Sequence, residues 1–284
     1  MAQAFPSAMV AQRDRAIARG TRALQLVIVD CEAKSVRAAQ LGPIRTLAVK
    51  IAAGLVTAVL GSTAAVVGLV SQRGAARIAH MWGRVCLRLA GVPIEVEGLE
   101  QIGDGERYVI MANHESSLDI VVLLTALPDD VELRFLAKKS LFTVPFLGWA
   151  MKSAGFIPVD REDRSTATVT LNQTLEEVAR GGSPLVFPEE TWTTDGRLLP
   201  FARGGFLVAL KSGLPILPVG LEGPRLVLPP NKGVVRPQPV TVRIGEPIPT
   251  AELGVSSRRE LMDRTRREID CLRGPSGHLP DSDD

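Results

Sequence analysis

The chain has 284 residues, a formal net charge of +2, 45% apolar residues and three cysteines. That length holds one large domain with appendages, and so small a net charge gives no case for nucleic acid. Cys31, Cys86 and Cys271 are odd in number and far apart, which argues against a disulfide framework or a zinc site and fits a reducing compartment. Basic residues are nevertheless clustered: Arg13, Arg15, Arg19 and Arg22 early, Arg73 and Arg77 after the most apolar stretch, and Arg258, Arg259, Arg264, Arg266 and Arg267 late. Such patches suit an anionic membrane surface or a solvated helix face.

No cleavable signal peptide is expected, because the first thirty residues are charged and hold no apolar core. Residues 1–46 read as a charged, alanine-rich helical region, interrupted at Gly42-Pro43. Residues 47–92 read as a membrane-associated helical segment. Its centre, Ile51 to Val70, runs twenty residues without a charge, about the length that crosses a bilayer. Arg45 and Lys50 precede it and Arg73 and Arg77 follow, so the flanks assign no orientation. Its composition fits a single span, a hairpin bent at Gly61-Ser62 that dips into one leaflet, or a buried helix of a soluble domain. Over Ala75–Ala90 the residues Ile78, Met81, Trp82, Val85 and Leu89 repeat with a helical period; His80 on this helix reads as structural.

From Pro93 short apolar runs alternate with helical stretches. Strands are expected at Ile94–Glu97, Tyr108–Ala112, Leu133–Ala137, Gly155–Val159, Pro184–Phe187, Ile216–Gly220 and Val240–Ile244. Helices are expected at Leu118–Leu127, with Ser116 or Ser117 as N-cap, and at Val144–Ala154, Arg164–Arg180, Gly204–Ser212 and Arg258–Leu272. Residues 93–273 are therefore expected to form an α/β domain with a mixed sheet flanked by helices. Residues 274–284, ending in Asp281-Ser282-Asp283-Asp284, read as a disordered acidic tail.

The chain holds only three histidines, His80, His114 and His278, and only His114 has a carboxylate placed to orient it. In Asn113-His114-Glu115-Ser116-Ser117-Leu118-Asp119 the histidine falls in the turn after a strand and Asp119 in the first turn of the next helix. Asp119 can reach one ring nitrogen and fix the tautomer, leaving the other nitrogen to take a proton from a bound hydroxyl. Taken alone, this spacing is common and fits equally a helix start at which Asp119 favours the dipole.

The blocks NHESSLDI, AKKSLFTVPFLGWAM, GFIPVDR, FPEETWTTDGRLLPF and LPILPVGL follow in that order. Across roughly residues 80–250 they resemble the glycerolipid acyltransferases related to 1-acylglycerol-3-phosphate acyltransferase. The resemblance implies transfer of a fatty acyl group from a thioester, on coenzyme A or acyl carrier protein, to the hydroxyl of a lysolipid, most simply lysophosphatidic acid. It implies a lipid membrane as partner, no nucleic acid, and no metal or redox cofactor. The expected location is the cytoplasmic membrane, with the catalytic domain on the cytoplasmic side.

On this resemblance His114 is the general base and Asp119 its orienting partner. Asn113, Lys138, Lys139, Arg161, Glu189, Thr191 and Arg203 are the expected substrate-binding residues, with Arg161 suited to an anionic headgroup. One block departs from its relatives. Where the family reads F-P-E-G-T-R-S, this chain has Glu190 for the glycine, Trp192 for the arginine and Thr193 for the serine. Tryptophan offers an apolar face and one donor but no charge for phosphate. The acceptor could therefore be a lipid without a phosphomonoester, such as a lyso-ornithine lipid, or the chain a lipid-binding protein that has lost transfer. A serine hydrolase finds no support, because the chain contains no G-x-S-x-G nucleophile elbow.

Overall fold

The computed structural model describes residues 42–160, 164–193, 196–229 and 235–274. The N-terminal helical region and the acidic tail expected from the sequence lie almost wholly outside the described residues, and Arg161 lies outside them too.

Two long helices come first: α1, Pro43–Gly68, and α2, Gln72–Ala90, packed against each other. Pro43 sits at the start of α1, where the missing N–H leaves no bond unmade. The helix runs unbroken through Gly61-Ser62, which corrects the expectation of a possible bend there. Gly61 serves close approach instead: a Cβ at this position would lie 2.7 Å from the carbonyl oxygen of Phe146. The hydroxyls of Thr57, Ser62 and Thr63 bond to the carbonyls four residues back, so these polar groups need no water.

By the standard of a soluble protein α1 is inside out. Ala64 is buried, whereas Ile51, Leu55, Val59 and Val66 are 56%, 65%, 65% and 67% exposed. By length and composition, residues Ile44–Gly68 are long and apolar enough to cross a membrane. The turn into α2 is capped by Ser71, whose hydroxyl accepts the Gly74 amide at 3.0 Å. Polar side chains of α2 then tie it to the rest of the molecule: Gln72 to Glu177 at 3.1 Å, Arg73 to Glu132, and Arg84 to Asp129.

Seven strands follow: β1 (Ile94–Glu97), β2 (Val109–Ala112), β3 (Leu133–Lys138), β4 (Ile157–Val159), β5 (Ser183–Val186), β6 (Ile216–Glu222) and β7 (Val240–Ile244). They form one sheet in the order β1-β7-β6-β2-β5-β3-β4. β6, β2, β5, β3 and β4 run parallel; β7 is antiparallel to β6 and parallel to β1. This is the mixed sheet expected from the sequence. The central strands β2 and β5 are buried along their whole length, as parallel strands covered on both faces must be. β7, nearer the edge, alternates buried and half-buried residues.

The remaining helices are α3 (Asp119–Ala126), α4 (Leu147–Ser153), α5 (Ala167–Ala179), α6 (Gly204–Ser212), α7 (Pro224–Val227) and α8 (Arg258–Leu272). The alternation of β2 divides the core between two faces. Ile110 and Ala112 join Leu123 and Leu124 of α3 and Leu87 of α2, while Val109 and Met111 join Phe206 of α6 and Leu261 and Ile269 of α8. α7 has no counterpart among the expected elements. It is a single turn entered through Gly223, with Pro224 at its first position.

Candidate active site

The carboxyl ends of the parallel strands converge on the turn after β2. Asn113 opens that turn and behaves as an extension of the strand: its amide nitrogen donates to the Leu221 carbonyl at 2.9 Å, and its oxygen accepts the Leu221 amide at 2.7 Å. Asn113 is buried, so its expected place in substrate binding is corrected to one of holding the turn against β6.

His114 follows. Its Nδ1 lies 2.7 Å from Oδ2 of Asp119, and the same oxygen accepts the backbone amides of Glu115 at 2.6 Å and Ser116 at 3.0 Å. Asp119 is fully buried and is the first residue of α3, where the helix dipole favours an anion. A carboxylate can only accept, so Nδ1 carries the proton and Nε2 is left as the acceptor. Ser116 serves the turn rather than capping α3: its hydroxyl accepts the Leu118 amide at 3.2 Å and donates to the Leu228 carbonyl at 2.7 Å.

Two aromatic rings frame the imidazole. Phe187 stacks on it with ring centres 4.1 Å apart and planes within 13°. Trp192 stands edge-on, at 5.4 Å and 76°. Glu189, between them in sequence, accepts the backbone amide of His114 at 2.8 Å on one carboxylate oxygen and that of Leu199 at 2.7 Å on the other. With both oxygens on backbone and the side chain buried, Glu189 is corrected from substrate binding to bracing the His114 turn. Burial raises its pKa, opposed by those two amides and by the charges of His114 and Arg266. Glu190 adopts φ 60°, the left-handed region that a glycine would enter at no steric cost.

Glu115, buried beside the pair, has its pKa pushed up to about 7, first by burial and then by the charge of Asp119, with Arg225 pulling the other way. His80, far from this site in sequence, is fully buried on α2, with Nδ1 3.5 Å from an Asp129 carboxylate oxygen; burial lowers its pKa.

His114 opens onto a cavity of about 500 Å³. Thr57, Leu60 and Ala64 of α1, Ile78, Ala79 and Trp82 of α2, and Phe135, Phe156, Lys138, Thr191 and Trp192 line it together with His114. Trp82 Nε1 donates to the Thr57 hydroxyl at 2.9 Å, so even this polar pair in the wall is satisfied. Lys138 and Thr191, two of the expected substrate-binding residues, thus line the same cavity as the histidine. Lys139 instead points to Asp160 at 3.4 Å in an exposed pair. Arg203 is exposed at the start of α6 and does not line this cavity. Phe187, Ser117 and the α1–α2 wall are site components that the sequence reading did not name. Gly155, which opens the G-F-I-P-V-D-R run, has φ 75°, and a Cβ there would meet Arg134 Nε at 2.7 Å. Arg134 is itself buried and paired with Glu177 at 3.0 Å and Glu132 at 2.8 Å. Among the described residues no three His, Cys, Asp or Glu side chains gather as metal ligands.

Comparison with known proteins agrees with this geometry. Residues 93–222 match the family model for acyltransferases, a span that includes His114, Asp119, Glu189 and Trp192. That span is what this chain shares with the acyltransferase family. Around it, the chain is 36% identical over 189 residues to the 1-acyl-sn-glycerol-3-phosphate acyltransferase of Saccharomyces cerevisiae, covering 65% of this chain and 61% of that one. It is 34% identical over 173 residues to the chloroplast 1-acyl-sn-glycerol-3-phosphate acyltransferase BAT2 of Brassica napus, covering 60% and 49%. The chain thus spans about half the length of the plant relative. The crystal structure of PlsC, the 1-acyl-sn-glycerophosphate acyltransferase of Thermotoga maritima, shares the fold of the acyltransferase domain and the helices before it. The TM-score is 0.69 at 22% identity, over 81% of this chain and 95% of that one.

Proposed function

We infer that this acyltransferase moves a fatty acyl group from a thioester to the hydroxyl of a lysolipid at a membrane surface. The observation that carries the reading is the His114–Asp119 pair, 2.7 Å apart, with His114 in the lining of an apolar cavity. The cavity suits the acyl chain of the donor, carried on coenzyme A or acyl carrier protein. His114 Nε2 takes the proton of the acceptor hydroxyl as its oxygen attacks the thioester carbonyl. Asp119 stabilises the imidazolium that forms. The tetrahedral oxyanion then collapses, the carbon–sulfur bond breaks, and the leaving thiolate receives the proton back from His114. Lys138, in the lining of the same cavity, can meet negative charge on the acceptor headgroup or the oxyanion. Lysophosphatidic acid is the acceptor that the similar enzymes name, with phosphatidic acid as product.

The outward apolar stripe of α1 supports attachment to lipid, because a row of exposed Ile, Leu and Val is costly in water and favourable in a bilayer. A second reading of the acceptor rests on Trp192, which places an indole beside the base. Mass spectrometry of products from lysophosphatidic acid, lyso-ornithine lipid and neutral lysolipids, with one acyl thioester, separates the two. The mechanism itself is tested with His114→Ala and Asp119→Asn. Turnover is expected to fall by about three to four orders of magnitude in each, and near-normal transfer in either would refute the assigned roles.

A further inference from the structure

The last helix reaches the active site through two arginines. Arg266 on α8 and Arg273, the residue that caps its end in helical backbone conformation, lie seven residues apart, two helical turns, and so project from one face. Arg266 donates to the carbonyl of Leu198 at 2.7 Å and to that of Leu199, and its guanidinium lies over the ring of Phe201 with Cζ 5.2 Å from the centroid. Arg273 is buried, is braced by Asp270 at 2.7 Å, and donates to the carbonyl of Gly196. All three carbonyls belong to the segment between Glu189 and α6. The amide of Leu199 in that segment donates to one oxygen of Glu189, and the other oxygen accepts the amide of His114. An unbroken series of hydrogen bonds therefore runs from α8 to the backbone of the base. α8 is itself well anchored: it lies against β6 and buries Leu261, Thr265 and Ile269.

We propose that Arg266 is a positioning residue for acyl transfer, clasping residues 198–199 so that Glu189 holds the His114 turn in its reactive place. Arg273 secures the same segment at Gly196. The planar guanidinium suits the task because its rigid fork presents two N–H groups to two successive carbonyls at once, where a lysine offers a single rotating ammonium. Its positive charge also favours the ionised form of the buried Glu189 that accepts the two amides. The proposal rests on the transfer reaction inferred above: displacing a base by about 1 Å is enough to cost on the order of a hundredfold in rate.

The test compares full-length wild type, Arg266→Ala, Arg266→Lys, Glu189→Gln and the Arg266→Ala/Glu189→Gln double variant, measuring kcat and KM for acyl thioester and lysolipid. Amide hydrogen exchange is followed in parallel at His114 and Leu199. Arg266→Ala is expected to lower kcat by at least about tenfold with KM changed by less than about twofold. It should also speed exchange at both amides. Arg266→Lys, which keeps the charge and one carbonyl contact, should recover part of kcat, and the double variant should be no slower than Glu189→Gln alone. Wild-type kcat in Arg266→Ala, losses that multiply in the double variant, or unchanged exchange at His114 would each overturn the clasp. Were wild type itself to transfer no acyl group, the functional reading would fall, and the exchange data alone would judge the clasp: faster exchange upholds it and unchanged exchange removes it.

Discussion

Trp192 stands edge-on to the imidazole of His114, their ring centres 5.4 Å apart and their planes crossed at 76°. With Phe187 stacked on the same ring at 4.1 Å, the base works between two aromatic surfaces. On the proposed function, an acceptor headgroup approaching His114 would meet an apolar edge here, at the position where the family resemblance implies an arginine.

Restoring that charge should move acceptor preference. Trp192→Arg is expected to raise kcat/KM for lysophosphatidic acid relative to a neutral lysolipid by about tenfold, the effect of one charge-assisted hydrogen bond to phosphate. The measurement is the product ratio from an equimolar mixture of the two acceptors. An unchanged ratio would mean that position 192 does not read the headgroup.

Acyl length should respond to the α2 wall. Ala79 lines the cavity, and Ala79→Phe places a ring in space that the chain would fill. Each methylene that no longer fits loses about 0.8 kcal/mol of burial, close to fourfold in rate. The variant should therefore favour thioesters several carbons shorter than the wild-type optimum while keeping its rate on them. Equal losses across a thioester series would argue that the acyl chain lies elsewhere.

Membrane attachment should depend on the exposed stripe of α1. Leu55 and Val59 are each 65% exposed on one face, and the paired change Leu55→Asp with Val59→Asp costs several kcal/mol if both enter hydrocarbon. Flotation with anionic liposomes should show wild type bound and the variant largely free. Full retention of binding would move the attachment site off this face.

Glu115 gives a pH signature in stability. Its folded pKa of about 7 lies above its ordinary value of 4.5, so between these values the folded state holds a proton that the unfolded state has released. Stability contributed at this residue is therefore complete at low pH and is lost as pH rises towards and through 7. Glu115→Gln removes that dependence. The variant should gain on wild type by about 2–3 kcal/mol between pH 4.5 and pH 8, read from denaturant midpoints. A constant difference across that range would contradict the assignment.

The sequence carried much of this architecture because its strands are short apolar runs between clear breakers. β1, β7, α6 and α8 lie where the pattern placed them, and the ends of the other strands shift by at most two residues. His114 and Asp119 were legible because five residues of one turn join them. Asn113 with Leu221, 108 residues apart, and Glu189 with His114, 75 apart, were not: pairings set by sheet topology leave no local trace. The same holds for the cavity wall, where Trp82 and Thr57, 25 residues apart, meet because α1 and α2 pack against each other. Gly61 misled for a related reason. A mid-helix glycine reads as a break until the neighbour that requires it, Phe146, is in place.

One consequence of the inside-out packing of α1 concerns how this protein could be divided. The helix shows its large side chains to the surroundings and turns Thr57, Leu60, Gly61 and Ala64 towards the cavity. On the proposed function, anchor and substrate gauge are opposite sides of one rod. Cutting the chain at Val92 to free a soluble domain would then keep His114 and Asp119 in the sequence and remove the α1–α2 side of the cavity. Solubility and selectivity are thus exchanged one for the other at a single point in the sequence, and a version of this protein that keeps both has to be made by recolouring the outer face of α1 rather than by deleting it.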